Sequence, residues 1–174
     1  VETKWGTNMA NQIINENWDD KRYYYDGNDL GLIYLQESSQ FKVWAPTATK
    51  LNLVLYDDAG VYNKDGLVTD HTDGEEMPME RNDNGVWQRK ISADLKGKYY
   101  MYKVEFADGK VNYSVDPYAN AVSANGQRTA IIDLKDTDPE GFRSLKKPAM
   151  IEATDAIIYE LHVRDFSIDE NSGI

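Results

Sequence analysis

The chain has 174 residues, enough to build one domain around a sizeable core and to begin a second. Thirty Asp and Glu against nineteen Lys and Arg give a formal net charge of -11, which repels phosphate backbones and speaks against nucleic acid as a partner. Cysteine is absent, which rules out disulfide frameworks and thiolate zinc sites, and no apolar run approaches the ~20 residues of a membrane span.

Residues 1–22 mix Asn, Asp and isolated Trp and read as an arm, with Trp5 and Trp18 as its anchors. From Tyr34 the texture changes. "QFKVWAP" and "KLNLVLYDD" alternate apolar and polar residues, as half-buried strands do. Phe41, Val43 and Ala45 share one face, and Leu51, Leu53 and Leu55 form the inner face of the next strand. Pro46 ends the first of these, because it cannot donate to a ladder. A Gly/Asp-rich loop follows from Asp57 to Glu76, then the turn Asn82-Asp83-Asn84-Gly85 and the strand "VWQRKIS". In "KYYMYKVEF", Tyr100, Tyr102, Val104 and Phe106 line one face. Asp108-Gly109 then forms a tight hairpin into "KVNYSV".

Short strands about ten residues apart predict an all-β, immunoglobulin-like β-sandwich over residues 23–135. Its last strand is expected at Ala130–Leu134. A polar, proline-bounded connector spans 136–155. Residues 156–174 then open with Ala156 to Val163, apolar on both alternations, as in a parallel strand covered on both faces.

Tyr159, Glu160, His162, Arg164 and Asp165 form a polar set in the C-terminal half of that segment. This is where barrel enzymes place their sites, but a network that orients the barrel mouth is the preferred reading of the set over direct ligand contact. Trp44 and Trp87 are candidates for sugar stacking or interface packing. Trp44 is out of phase with Phe41 and Val43, which puts it on the opposite sheet face. No catalytic residue is assigned among the many acids, because neighbouring acids in Gly-rich loops read as solvated surface. Asp57, Asp58, Asp65, Asp70 and Asp73 supply the carboxylate type that calcium takes, but their spacing fits no calcium loop. No cofactor is required, no metal ligand is assigned, and calcium remains compatible.

Four segments in fixed order carry a resemblance: "YYYDGNDLG" (23–31), "FKVWAPTAT" (41–49), "SVDPYANAVSANGQR" (114–128) and "AIIYELHVRDFS" (156–167). Together they resemble the type I pullulanases of the α-amylase superfamily (glycoside hydrolase family 13). In that family the first three segments belong to a family 48 carbohydrate-binding module. The fourth is the first strand of a catalytic (β/α)8 barrel. The resemblance implies hydrolysis of α-1,6-glucosidic branch points in pullulan, starch or glycogen, with retention of configuration. It places the catalytic Asp, Glu and Asp on the fourth, fifth and seventh barrel strands, none of which maps to residues 1–174. The chain alone is therefore expected to be inactive, with a second chain or segment supplying the rest of the barrel after Ile174. A stand-alone glucan-binding module, or the matching part of an isoamylase or branching enzyme, is the alternative. Compartment stays open, since such bacterial enzymes can be cytoplasmic, secreted or surface-attached.

Overall fold

The computed structural model describes residues 20–149 and 151–173. It divides into two compact units, Val1–Thr137 and Asp138–Ile174. The expected anchors Trp5 and Trp18 lie outside the described residues.

The first unit opens with one helical turn, α1 (Asp20–Tyr23), and continues in strands: β1 (Gly31–Leu35), β2 (Ser38–Trp44), β3 (Ala48–Tyr56), β4 (Glu75–Pro78), β5 (Glu80–Arg81), β6 (Val86–Ile91), β7 (Tyr99–Phe106), β8 (Val111–Ser114) and β9 (Thr129–Ala130). One sheet runs β1-β2-β6-β5. The other runs β4-β3-β7-β8, with β9 also paired to β7. All of these pairings are antiparallel. That arrangement is the predicted sandwich.

The register explains the core. Leu51 lies opposite Val104, Leu53 opposite Tyr102, and Leu55 opposite Tyr100, which puts all six on one face. Phe41, Val43 and Trp87 come from the facing sheet, and Met79, Leu95 and Ile131 close the ends. Phe41 meets Tyr100 edge-on, with ring centroids 4.9 Å apart and planes at 74°. This is a favoured aromatic geometry.

Three local readings change. β1 and β4 were not picked out by alternation; β1 begins at Gly31, and β4 is a four-residue edge strand that stops at a proline. The strand expected at Ala130–Leu134 is only the two residues of β9, and a 3₁₀ turn already occupies Leu134–Thr137. The half-buried reading of β3 also fails, because Leu51 through Tyr56 are buried without interruption. On the outer face of the sheet, Val54, Tyr56 and Met101 form a second small cluster with Tyr99, Tyr113 and Val115. The loop between Tyr56 and Glu75 covers it. A Cβ on Gly74 would stand 2.5 Å from Val54 Cγ1 and 2.6 Å from Tyr56 Cε1, so glycine is needed for the loop to lie that close.

In the second unit, Phe142–Ser144 and Ala153–Asp155 form 3₁₀ turns and Val163–Ser167 a short helix, α2. The run expected to be a strand is extended at Ala156 (φ -77°, ψ 127°) but has no ladder partner among the described residues.

Candidate functional site

Each predicted polar residue of the second unit lies on or beside α2. His162 is the N-cap: its Nδ1 accepts a hydrogen bond from the Asp165 backbone N–H at 3.4 Å, and Asp165 Oδ2 stands 3.5 Å from that nitrogen. A ring nitrogen thus does the work that Ser or Asp does at other helix starts. Asp165, in the first turn, also suits the positive end of the helix dipole. Tyr159 is exposed ahead of the cap, among Ile157, Ile158 and Leu161, which are exposed as well. The structure therefore brings together His162 and Asp165 and, among the described residues, gives Tyr159, Glu160 and Arg164 no side-chain hydrogen bond.

The two tryptophans differ. Trp44 is 42% exposed and its Nε1 donates to the Tyr23 carbonyl at 2.9 Å, so the ring lies on the outer sheet face with α1 fixed against it. Trp87 is 6% exposed inside the core, with Nε1 donating to the Ala45 carbonyl at 3.0 Å. A buried ring has no face to offer a sugar, so Trp87 is a core residue.

Two buried polar centres were not read as such from the sequence, although Asp116-Pro117-Tyr118 stood out as the segment that fixes the exit from the sandwich. In the first, Asp116 is buried at the exit of the sandwich. Its Oδ2 accepts from Tyr100 Oη at 2.5 Å and from Tyr102 Oη at 3.1 Å, while Oδ1 accepts from the Tyr118 N–H at 2.8 Å. Burial above all, then the neighbouring phenol and the carboxylate, push Tyr100 far above the usual tyrosine range. Burial, and after it Asp116, push Tyr102 up as well, so both hydroxyls serve as donors to the Asp116 side chain. Asp116-Pro117-Tyr118 is thus tied to the core by its first residue.

The second centre is Arg128, whose side chain is 1% exposed. Its guanidinium sits 3.6 Å from the Tyr56 ring centroid. Nη2 donates to Asp73 Oδ1 at 2.7 Å and to the Asp70 carbonyl at 3.4 Å, and Nη1 donates to the Asp58 carbonyl at 3.2 Å. Nearby, Asn125 Nδ2 donates to the Gly66 carbonyl, and the Val68 N–H donates to Gln127 Oε1. The segment 125–128 is therefore what fastens the acidic loop.

The same contacts occupy most of the loop's acids. Asp58 and Asp73 face Arg128, Asp57 pairs with Lys98, and Asp70 caps the Thr72 backbone and hydroxyl. Among the described residues no three His, Asp or Glu side chains come together in a group that could hold a metal ion. No helix among them is long and apolar enough to cross a membrane.

Two twisted antiparallel sheets over a shared core, with exposed and buried aromatics on different faces, define an immunoglobulin-like β-sandwich module. Residues 29–119, just over half of the chain, match carbohydrate-binding module 48, the isoamylase N-terminal domain, and the chain belongs to that family. It is 34% identical over 166 residues to the chloroplastic pullulanase 1 of Arabidopsis thaliana, covering 88% of this chain and 16% of that protein. It is 35% identical over 158 residues to the pullulanase of Bacillus subtilis, covering 89% and 19%. A crystal structure of a pullulanase mutant from Paenibacillus barengoltzii, complexed with maltotriose, superposes with a TM-score of 0.77 at 41% identity, over 93% of this chain and 23% of that one. The pullulanase from Bacillus acidopullulyticus gives 0.72 at 43% identity, over 87% and 17%. The chain thus spans less than a quarter of the length of each of these relatives.

Proposed function

We propose that this chain is the N-terminal portion of a pullulanase-type debranching glycoside hydrolase that cleaves α-1,6-glucosidic linkages with retention. In this reading it supplies the sandwich and the first strand of the catalytic barrel, while the catalytic carboxylates belong to later strands. A retaining mechanism needs two carboxyl groups about 5 Å apart, one as nucleophile and one as acid/base. The reading assigns neither to this chain, which alone hydrolyses nothing.

The observation that carries the reading is the run Ala156–Leu161. Ile157 is 96% exposed and Ile158 90%, in an extended segment that has no ladder partner among the described residues. Such a segment finds its free-energy minimum only when neighbouring strands pair its backbone and cover both faces. The barrel of a debranching enzyme supplies both. Tyr159, Glu160, His162, Arg164 and Asp165 then fall at the C-terminal end of the first strand, where they orient the barrel mouth toward a branched α-glucan.

The test is complementation. A fragment of the Bacillus subtilis pullulanase lacking the part that this chain matches is assayed on pullulan and on amylose, with and without the chain. The expected result is release of reducing sugar from pullulan by the mixture alone, with amylose untouched. No gain over the fragment by itself, although the two proteins co-purify, would sink the reading.

A further inference from the structure

Only two asparagines in the sequence precede glycine, Asn84 and Asn125. The fold treats them oppositely.

Asn125-Gly126 is tied at both reacting groups. Asn125 Nδ2 donates to the Gly66 carbonyl at 2.9 Å, and the Gly126 N–H donates to the Ser123 carbonyl at 2.9 Å. The Asn125 carbonyl also accepts from Gln127 Nε2 at 3.0 Å. Its backbone is held left-handed at φ 54°, which asparagine tolerates better than most residues.

Asn84-Gly85 lies in the β5–β6 turn. There the Gly85 N–H reaches the Asn82 carbonyl only at 3.3 Å, and Asn84 Oδ1 is buried with no partner. Among the described residues the Asn84 side-chain nitrogen has no hydrogen bond comparable to the one from Asn125 Nδ2 to Gly66. An unsatisfied buried carbonyl costs free energy in the closed turn and so favours its excursions to other geometries.

We propose that Asn84 is a site of spontaneous deamidation and isoaspartate formation, and that the fold shields Asn125 from the same reaction. The Gly85 backbone nitrogen attacks Asn84 Cγ. The new N–C bond forms as the bond from Cγ to the side-chain nitrogen breaks, and that nitrogen leaves as ammonia, taking the proton displaced from Gly85. Glycine places no side chain in the way of the attack. Water then opens the five-membered imide at either carbonyl and leaves an aspartate or a β-linked isoaspartate. No oxidant, metal or other reagent takes part.

The position makes the change consequential. The Gly85 carbonyl accepts from the Ala45 N–H at 3.0 Å, and a Cβ on Gly85 would stand 2.6 Å from Pro46 Cβ, so this turn packs directly on the end of β2. An isoaspartyl link adds a backbone atom at that contact. It also disturbs the Ala45 carbonyl that receives Trp87 Nε1.

The experiment is to age the folded 174-residue protein in warm, mildly alkaline buffer. Isoaspartate is then labelled with protein-isoaspartate methyltransferase and a labelled methyl donor, and the label is mapped by peptide. The Asn84 peptide should gain label about tenfold faster than the Asn125 peptide, since reaction at Asn125 first breaks two hydrogen bonds. Unfolding in urea should bring the two rates together, and Asn84→Gln should remove the label from its own peptide alone. Equal rates in the folded protein, faster label at Asn125, or no label at Asn84 would each overturn the proposal.

Discussion

The two units hold similar apolar residues and treat them in opposite ways. In the sandwich, Phe41, Leu51, Leu53 and Tyr100 are all but sealed from water in one core drawn from both sheets. In the second unit Ile157, Ile158, Tyr159 and Val163 stand in water. The difference lies in what surrounds each segment rather than in its own composition. β3 and β7 pair along eight residues, and the inner face they share packs into one core with Phe41, Val43 and Trp87 of the facing sheet. The run at 156–161 has the apolar composition of a covered strand but no neighbour to pair it among the described residues. An apolar run becomes core only when a ladder and a cover are both supplied.

The sharpest way to break this comparison is to remove the same kind of mass from each unit. Leu53→Ala in the sandwich should cost about 3 kcal/mol of unfolding free energy in a urea titration, from lost transfer energy and the cavity left behind. Ile157→Ala should cost less than about 0.5 kcal/mol in the chain alone. Equal losses would mean that the two environments are not distinct in solution. With the complementing barrel fragment bound, the Ile157 effect should rise toward that of Leu53.

A second effect separates the two faces of one sheet. The inner face is held by packing, the outer one by a loop fastened through Arg128. Arg128→Met keeps much of the stem volume and removes the fork. It should cost about 2 kcal/mol, because it leaves the Asp58 and Asp70 carbonyls without donors. Asp73 is half exposed and can turn to water, so the full penalty of breaking a buried ion pair does not apply. Amide exchange should quicken from Asp58 to Asp73 and leave β2 and β6 unchanged. A loss confined to β2 and β6 would refute the fastening role.

Much of this architecture could be read directly from the sequence. Alternation placed Phe41, Val43, Leu51, Leu53, Leu55, Tyr100 and Tyr102 on inner faces, and the Asp108-Gly109 hairpin closes where its residues predict. What periodicity cannot report is cover that arrives from far along the chain. Val54 and Tyr56 are buried because residues 58–73 fold back over them and Arg128, more than fifty residues later, reaches underneath. Asp116 was legible only as a turn residue, since nothing local says that two tyrosines from β7 will aim at it. Trp87 was open to either role because its position after a turn fits a surface ring as well as a core one. The polar set around His162 was legible as residue types. Its local geometry, a capped helix start, was not, because the run ahead of it was read as a strand continuing through Val163, where the helix Val163–Ser167 begins.

The smallest expected effect tests the edge of the same loop. His71 stacks against Tyr113 with ring centroids 5.3 Å apart, its Nδ1 is buried without a partner, and its carbonyl accepts from Tyr56 Oη at 3.0 Å. Burial, and after it the Arg128 charge, lower its pKa from the ordinary 6.5, against a weaker pull upward from Asp73 and Asp70. A histidine that is harder to protonate folded than unfolded leaves stability unaffected above its unfolded value. As the pH falls from there through the lowered folded value, the unfolded chain binds the proton first and stability is lost. The expected profile is flat near neutrality and declines on the acid side, by less than Leu53→Ala or Arg128→Met costs, since part of the ring still meets water. His71→Asn should remove that decline while Asp and Glu titration at lower pH remains. An imidazole resonance of His71 that titrates at or above the ordinary value would show the ring to be solvated, and the loop would then be held at Arg128 without the histidine's help.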